Sequence, residues 1–155
     1  MSLIERIKTD QVIARKMRWS ARASILTTLI GEAEMIGKNA GNRSPSNDEV
    51  TLIIKKFVKN LDENLRLAEK NEDVDRYDLA EAEKSVLVDY LPKQLNEQEL
   101  TDAINQFISE WPTSVSFGIG NILARLKLKY NSCYDGAMAA KLVKDIVGKS
   151  RIKLV

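Results

Sequence analysis

Apolar residues along this chain recur every three to four positions, and almost every stretch of that pattern opens on a residue able to cap a helix. Leu3, Ile7, Ala14 and Met17 share one stripe, while Glu5, Arg6, Lys8, Arg15 and Lys16 lie off it. Ser2 can accept the free N–H groups of the first turn, and Glu5, three residues on, can close a capping box. A second helix is expected to be capped by Ser20, to carry Ile25, Leu26, Leu29, Ile30, Ala33 and Ile36 on its apolar face, and to stop near Gly37. Residues 38–47 are rich in Asn, Gly, Ser and Pro and read as a loop. Ser46 with Glu49 repeats the capping box, and Val50, Ile53, Ile54, Phe57, Val58, Leu61, Leu65 and Ala68 keep the 3.6-residue period behind it. After an acidic break from Asn71 to Asp75, Asp75 is expected to cap a fourth helix bearing Leu79, Val86, Leu87 and Tyr90.

Pro92 interrupts the pattern, because proline has no amide hydrogen and pushes the residue before it out of helical geometry. A domain boundary is expected there. Three shorter helices follow: one capped by Asn96 with Glu99 and burying Leu100, Ala103, Ile104, Phe107 and Ile108; one from about Ser116 to Lys129 with Phe117, Ile119, Ile122, Leu123 and Leu126 inward; and one capped by Asp135 with Met138, Ala139, Leu142, Val143 and Ile146 inward. The expected fold is all-α, with an N-terminal bundle of about four helices over residues 1–91 and a small three-helix domain over residues 92–155. Only 7 Gly and 3 Pro in 155 residues agree with long helices and short connections.

Composition removes several chemistries. With no histidine, a Ser–His or Cys–His triad and imidazole metal ligation are impossible. The single cysteine, Cys133, forms no internal disulfide and no thiolate zinc site. No apolar run approaches a membrane span, and the charged opening Leu3-Ile4-Glu5-Arg6 does not read as a signal peptide. The expectation is a cytoplasmic protein. Gly118-Ile119-Gly120 has neither the preceding strand nor the third glycine of a phosphate-binding turn, and reads as structural. The carboxylates Glu69, Glu72, Asp73, Asp75, Asp78, Glu81 and Glu83 lie in a polar, hydrated stretch that would not separate their pKa values. No catalytic residue, metal site, cofactor or small-molecule substrate is expected.

The net charge of +2 hides a basic start, an acidic middle and a basic end: +4 over residues 1–43, −5 over 44–92 and +3 over 93–155. In the last part Arg125, Lys127 and Lys129 alternate with apolar residues, and Lys141 and Lys144 follow on the next helix. If the last two helices are antiparallel, Lys127, Lys129 and Lys141 gather on one surface, which would attract phosphates without reading sequence. Ordinary solubilising lysines would give the same pattern. Arg15, Lys16, Arg18 and Arg22 make a second basic group around Trp19, an aromatic that suits either packing or base stacking.

The stretch Glu83-Lys84-Ser85-Val86-Leu87-Val88-Asp89-Tyr90-Leu91-Pro92-Lys93-Gln94-Leu95 resembles the GatB/YqeY family, the tail region of the B subunit of glutamyl/aspartyl-tRNA amidotransferase and its stand-alone relatives. The Gly120 helix, Asp135-Gly136 leading into Lys141-Leu142-Val143-Lys144, the opening Leu3-Ile4-Glu5-Arg6 and the start at Asp48-Glu49-Val50 extend the likeness to a stand-alone YqeY-like protein. The resemblance implies an all-helical fold with a small C-terminal domain, and a binding module for tRNA separated from the ATP-dependent catalytic body. Asn121, where the family usually has a basic residue, and Ser132-Cys133-Tyr134, in place of a Gly-Arg-Ala turn, depart from its pattern. The expected function is that of a non-catalytic accessory protein binding tRNA or other RNA through Arg125, Lys127, Lys129, Lys141 and Lys144. The alternative is a protein–protein adaptor working through its amphipathic helices or the acidic stretch 69–83.

Overall fold

The computed structural model describes residues 1–112, 118–131 and 133–153, without the side chains of 150–153. The expected start of the sixth helix at Ser116, with Phe117 inward, lies outside the described residues, as do Ser132 and the side chains of Arg151 and Lys153. The fold is all-α. Seven helices are present among the described residues: α1 (Leu3–Lys16), α2 (Ser20–Asn39), α3 (Asn47–Lys70), α4 (Val74–Val88), α5 (Glu97–Glu110), α6 (Ile119–Tyr130) and α7 (Gly136–Lys153). Two compact units divide the chain, Met1–Leu91 and Pro92–Val155.

In the first unit the capping boxes at Ser2 with Glu5 and at Ser46 with Glu49 are both formed. Glu49 also meets the Arg43 guanidinium at 2.7 Å, which with the Ser46 hydrogen bonds lowers its carboxyl to about 2. The Leu3 N–H donates to Asn47 Oδ1 at 2.9 Å, so the starts of α1 and α3 are joined. Ile4, Ile7, Leu26, Leu29, Val50, Ile54 and Leu87 fill the core. Ile4, outside the expected stripe, is buried, whereas Met17 is 58% exposed beyond the end of α1.

Two caps differ from expectation. Ser20 is already inside α2; Trp19 holds the N-cap position and makes no side-chain capping bond. The reason is the tight exit from α1: Arg18 adopts a left-handed φ of 58°, the Trp19 N–H returns to the Ala14 carbonyl at 2.9 Å, and the Trp19 carbonyl accepts from Ala23 N–H at 2.8 Å. The fourth helix is capped by Asp73, not Asp75, since Asp73 accepts from Arg76 N–H at 3.1 Å while Asp75 lies in the first turn. Here too a left-handed residue, Glu72 with φ of 55°, reverses the chain early. Leu79 is 51% exposed, and Ala80 takes its place in the core.

Helix α2 runs two residues past Gly37, which is where the following loop folds back. A Cβ at Gly37 would lie 2.2 Å from the Arg43 carbonyl oxygen. The Arg43 N–H donates to the Gly37 carbonyl at 3.1 Å, so the close approach is bonded in place. Tyr90, 6% exposed, closes the far end of the unit: its hydroxyl donates to Asp10 Oδ2 at 2.6 Å, and the Arg6 guanidinium lies 5.0 Å from its ring centroid. Burial, reinforced by the Asp10 carboxylate, pushes the Tyr90 phenol up to about 12.

The second unit holds α5, capped by the Asn96 and Glu99 box, with α6 and α7 around Leu100, Ile104, Phe107, Ile122, Leu126, Ala139 and Val143. Asp135 caps α7 through its Oδ1, which accepts from Ala137 N–H at 2.8 Å and Met138 N–H at 3.2 Å. Ile119, expected inward, is exposed in the first turn of α6, ahead of the buried Ile122. No helix among the described residues is long and apolar enough to cross a membrane.

Gly37→Ala is expected to destabilise the protein by about 1–3 kcal/mol in urea denaturation, because the Arg43 backbone must give way to the new methyl group. For Tyr90, a folded-state pKa above the ordinary value near 10 means its contribution is complete below about pH 10 and lost as pH rises towards about 12. Tyr90→Phe should therefore lower stability by about 1 kcal/mol at pH 9, with the gap to the unaltered protein narrowing in urea melts above pH 11.

Candidate nucleic-acid interface

The second unit carries the expected cations on α6 and α7, and all of Arg125, Lys127, Lys129, Lys141 and Lys144 are exposed. None of the five is ion-paired with a carboxylate among the described residues. Arg125 and Lys129, one helical turn apart on α6, lie against aromatic rings. The Arg125 guanidinium is 5.1 Å from the Trp111 ring centroid, and the Lys129 ammonium is 5.7 Å from that of Phe107 and 5.4 Å from that of Tyr130. Phe107 and Trp111 are themselves one turn apart on α5 and its C-terminal cap, so α5 and α6 run antiparallel with two cations laid over two aromatics. Phe107 and Tyr130 contact each other with ring centroids 6.4 Å apart.

This arrangement follows from the core. Ile122 and Leu126 are fully buried and turn one face of α6 inward. Arg125 and Lys129 then fall on the flank beside α5, where their aliphatic stems cover the rings while their charged heads stay wet. Lys127 projects about 160° from either of them around the helix, on the flank away from those rings, so Lys127 and Lys129 do not share the one surface expected for them with Lys141. On α7, Ala139, Val143 and Val147 face the core, which leaves Lys141 and Lys144 on the outer side, about 60° apart.

The turn between α6 and α7 is tied to the start of the unit. The Leu95 N–H donates to the Cys133 carbonyl at 2.7 Å, and the Cys133 N–H to the Tyr130 carbonyl at 2.8 Å. The stretch Tyr90 to Leu95 thus does structural work at both ends: Tyr90 in the first unit and Leu95 in the second. Cys133 is half-buried, and its backbone is what the fold uses.

A profile of the YqeY family, described as Yqey-like protein, matches residues 4–147. The chain belongs to this family. No curated protein is significantly similar to it. In this YqeY-like chain the acidic residues of the α3–α4 region are divided among different surroundings. Asp73 is spent on the α4 cap, Glu83 is half-buried with its carboxyl raised by burial, and Glu69, Glu72, Asp75, Asp78 and Glu81 are exposed. Among the described residues no group of three or more acidic or cysteine side chains is arranged to hold a metal ion.

Sequence reasoning named the cations and missed the rings beneath them. The available signal was a pair of one-turn spacings, Phe107 with Trp111 and Arg125 with Lys129, but only the antiparallel docking of α5 on α6 brings the pairs into register. Arg125→Leu keeps the stem over the indole and removes the charge. It is expected to cost no more than about 1 kcal/mol in urea denaturation, since an exposed cation–π contact is worth about that much.

Proposed function

We propose that the protein is a non-catalytic accessory factor that binds tRNA or other RNA through Arg125, Lys127, Lys129, Lys141 and Lys144. The observation that carries this reading is that five exposed cations on two adjacent helices are not ion-paired with a carboxylate among the described residues, although Asp145 lies on the same helix as Lys141 and Lys144. Asp135 instead caps α7, and Glu99 closes its capping box and meets Lys93 at 3.7 Å. Arg125 and Lys129 are held against rings, so little side-chain freedom is lost when they meet a phosphate. Lys127 projects away from Arg125 and Lys129, and Lys141 and Lys144 lie on the outer side of α7, so the proposed contact is made by separate cations and not by one continuous patch. Such binding is electrostatic and insensitive to sequence. The membership in a family related to the amidotransferase tail supports the same assignment.

The second reading, a protein adaptor, draws on Val74 and Leu79, apolar residues left exposed in the acidic stretch of α4. Retention of one protein partner after nuclease treatment would favour it.

A titration of labelled tRNA at several salt concentrations tests the RNA reading. Affinity should fall steeply with salt, and the Lys127→Glu/Lys141→Glu double variant should lower the slope of log K against log salt by about 2. Undetectable binding at low salt, or a double variant indistinguishable from the unaltered protein, removes the proposal.

A further inference from the structure

The corner between α1 and α2 carries a second concentration of positive charge, centred on an aromatic ring. From Gln11 to Gly31 there is no acidic residue, while Arg15, Lys16, Arg18 and Arg22 fall within eight positions. Arg15, Lys16 and Arg18 are exposed, and none of them is ion-paired with a carboxylate among the described residues. Elsewhere in the same unit Lys8, Arg43, Lys56, Arg66 and Lys84 each meet one, while Lys59 and Lys70 form no ion pair among the described residues. Trp19 stands in the middle of the unmatched group, 48% exposed, with the Arg22 guanidinium 6.0 Å from its ring centroid. A cleft beside it is lined by Trp19, Ser20, Ala21, Arg22, Ala82 and Val86.

We propose that Trp19 is a stacking platform for an unpaired nucleobase, with Arg15, Arg18 and Arg22 holding the flanking phosphates. The proposal rests on the RNA-binding reading above and adds a second contact, on the other unit, specific to single-stranded segments. Charge decides the class of partner: three exposed cations, Arg15, Lys16 and Arg18, with no carboxylate paired to them among the described residues call for a polyanion. The ring decides which polyanion, because a flat aromatic with an apolar wall from Ala82 and Val86 matches the face of a base and gives nothing to a bare phosphate chain. The platform is rigid. The Trp19 N–H is held by the Ala14 carbonyl and the Trp19 carbonyl by the Ala23 N–H, so the indole is presented from a backbone fixed on both sides.

The chain has two tryptophans, so Trp111→Phe leaves Trp19 as the sole indole reporter. The full-length variant is titrated at low salt with end-labelled single-stranded oligoadenylate of about ten nucleotides. Anisotropy of the label reads total binding and tryptophan emission reads the platform. Oligoadenylate should quench Trp19, whereas inorganic polyphosphate and polyglutamate of matched charge should not. Trp19→Ala should weaken oligoadenylate binding roughly 5- to 100-fold, the range for losing one base–aromatic stack, and Trp19→Phe should restore most of it. If Trp111→Phe does not fold, the difference in emission between the unaltered protein and Trp19→Phe gives the same signal. Binding by anisotropy with unchanged Trp19 emission, equal quenching by polyphosphate or polyglutamate, or a Trp19→Ala variant of full affinity each overturns the platform and leaves the C-terminal surface standing. Full Trp19 quenching and oligoadenylate affinity in the Lys127→Glu/Lys141→Glu variant supports the platform as a contact separate from the C-terminal surface, which the tRNA titration decides. Absence of any oligoadenylate binding overturns the platform, and the tRNA titration then decides the other surface.

Discussion

Each unit of this protein depends on the burial of one aliphatic seam that no single helix could bury alone. Helices of the length of α5 and α6 are marginal in isolation, and what holds them is the shared enclosure of Leu100, Ile104, Ile122, Leu126 and Val143. That seam also sets the chemistry of the surface. Once Ile122 and Leu126 point inward, helix geometry sets the direction in which every other α6 residue projects, and Arg125 and Lys129 lie along the rings of Trp111 and Phe107. Their charges remain in water because their stems alone are needed to cover Phe107, which is 5% exposed.

Chain reversals play the corresponding part in the first unit. Arg18, Asn42 and Glu72 all take left-handed φ angles, as does Gly41, and each sits just beyond a helix end. A left-handed residue turns the chain within one or two positions and satisfies carbonyls at the end of the preceding helix. The consequence at Arg18 is that Trp19 becomes the first residue of the next element before any polar cap can be inserted. An indole is thereby left at the surface among arginines. The consequence at Glu72 is an earlier start for α4, which brings Ala80 and Leu87 inward and turns Leu79 out.

Much of this was legible from residue order, and the failures have a common cause. The caps read correctly, Ser2, Ser46, Asn96 and Asp135, stand at starts where local hydrogen bonds suffice to define the first turn. The two misread, Ser20 and Asp75, follow left-handed reversals, whose position depends on how the preceding helix is packed. Periodicity places Met17, Leu79 and Ile119 inward, but Met17 and Ile119 stand at helix ends and Leu79 is exposed within α4. The site cations were visible as charges in alternation with apolar residues; their aromatic partners were not, because they belong to another helix.

The sequence by itself determined the number and kind of elements, since period, caps and proline act over a few residues and need no partner. It also determined that the 155 residues hold no histidine and, with one cysteine, no internal disulfide, which is a matter of composition. Tertiary structure alone decided which aromatics lie under Arg125 and Lys129, how far Lys127 diverges from them, and why Gly37 must lack a side chain. Those are consequences of how segments distant along the chain are pressed together, and helix docking is set by the summed shape of two buried faces, a quantity that no local pattern contains.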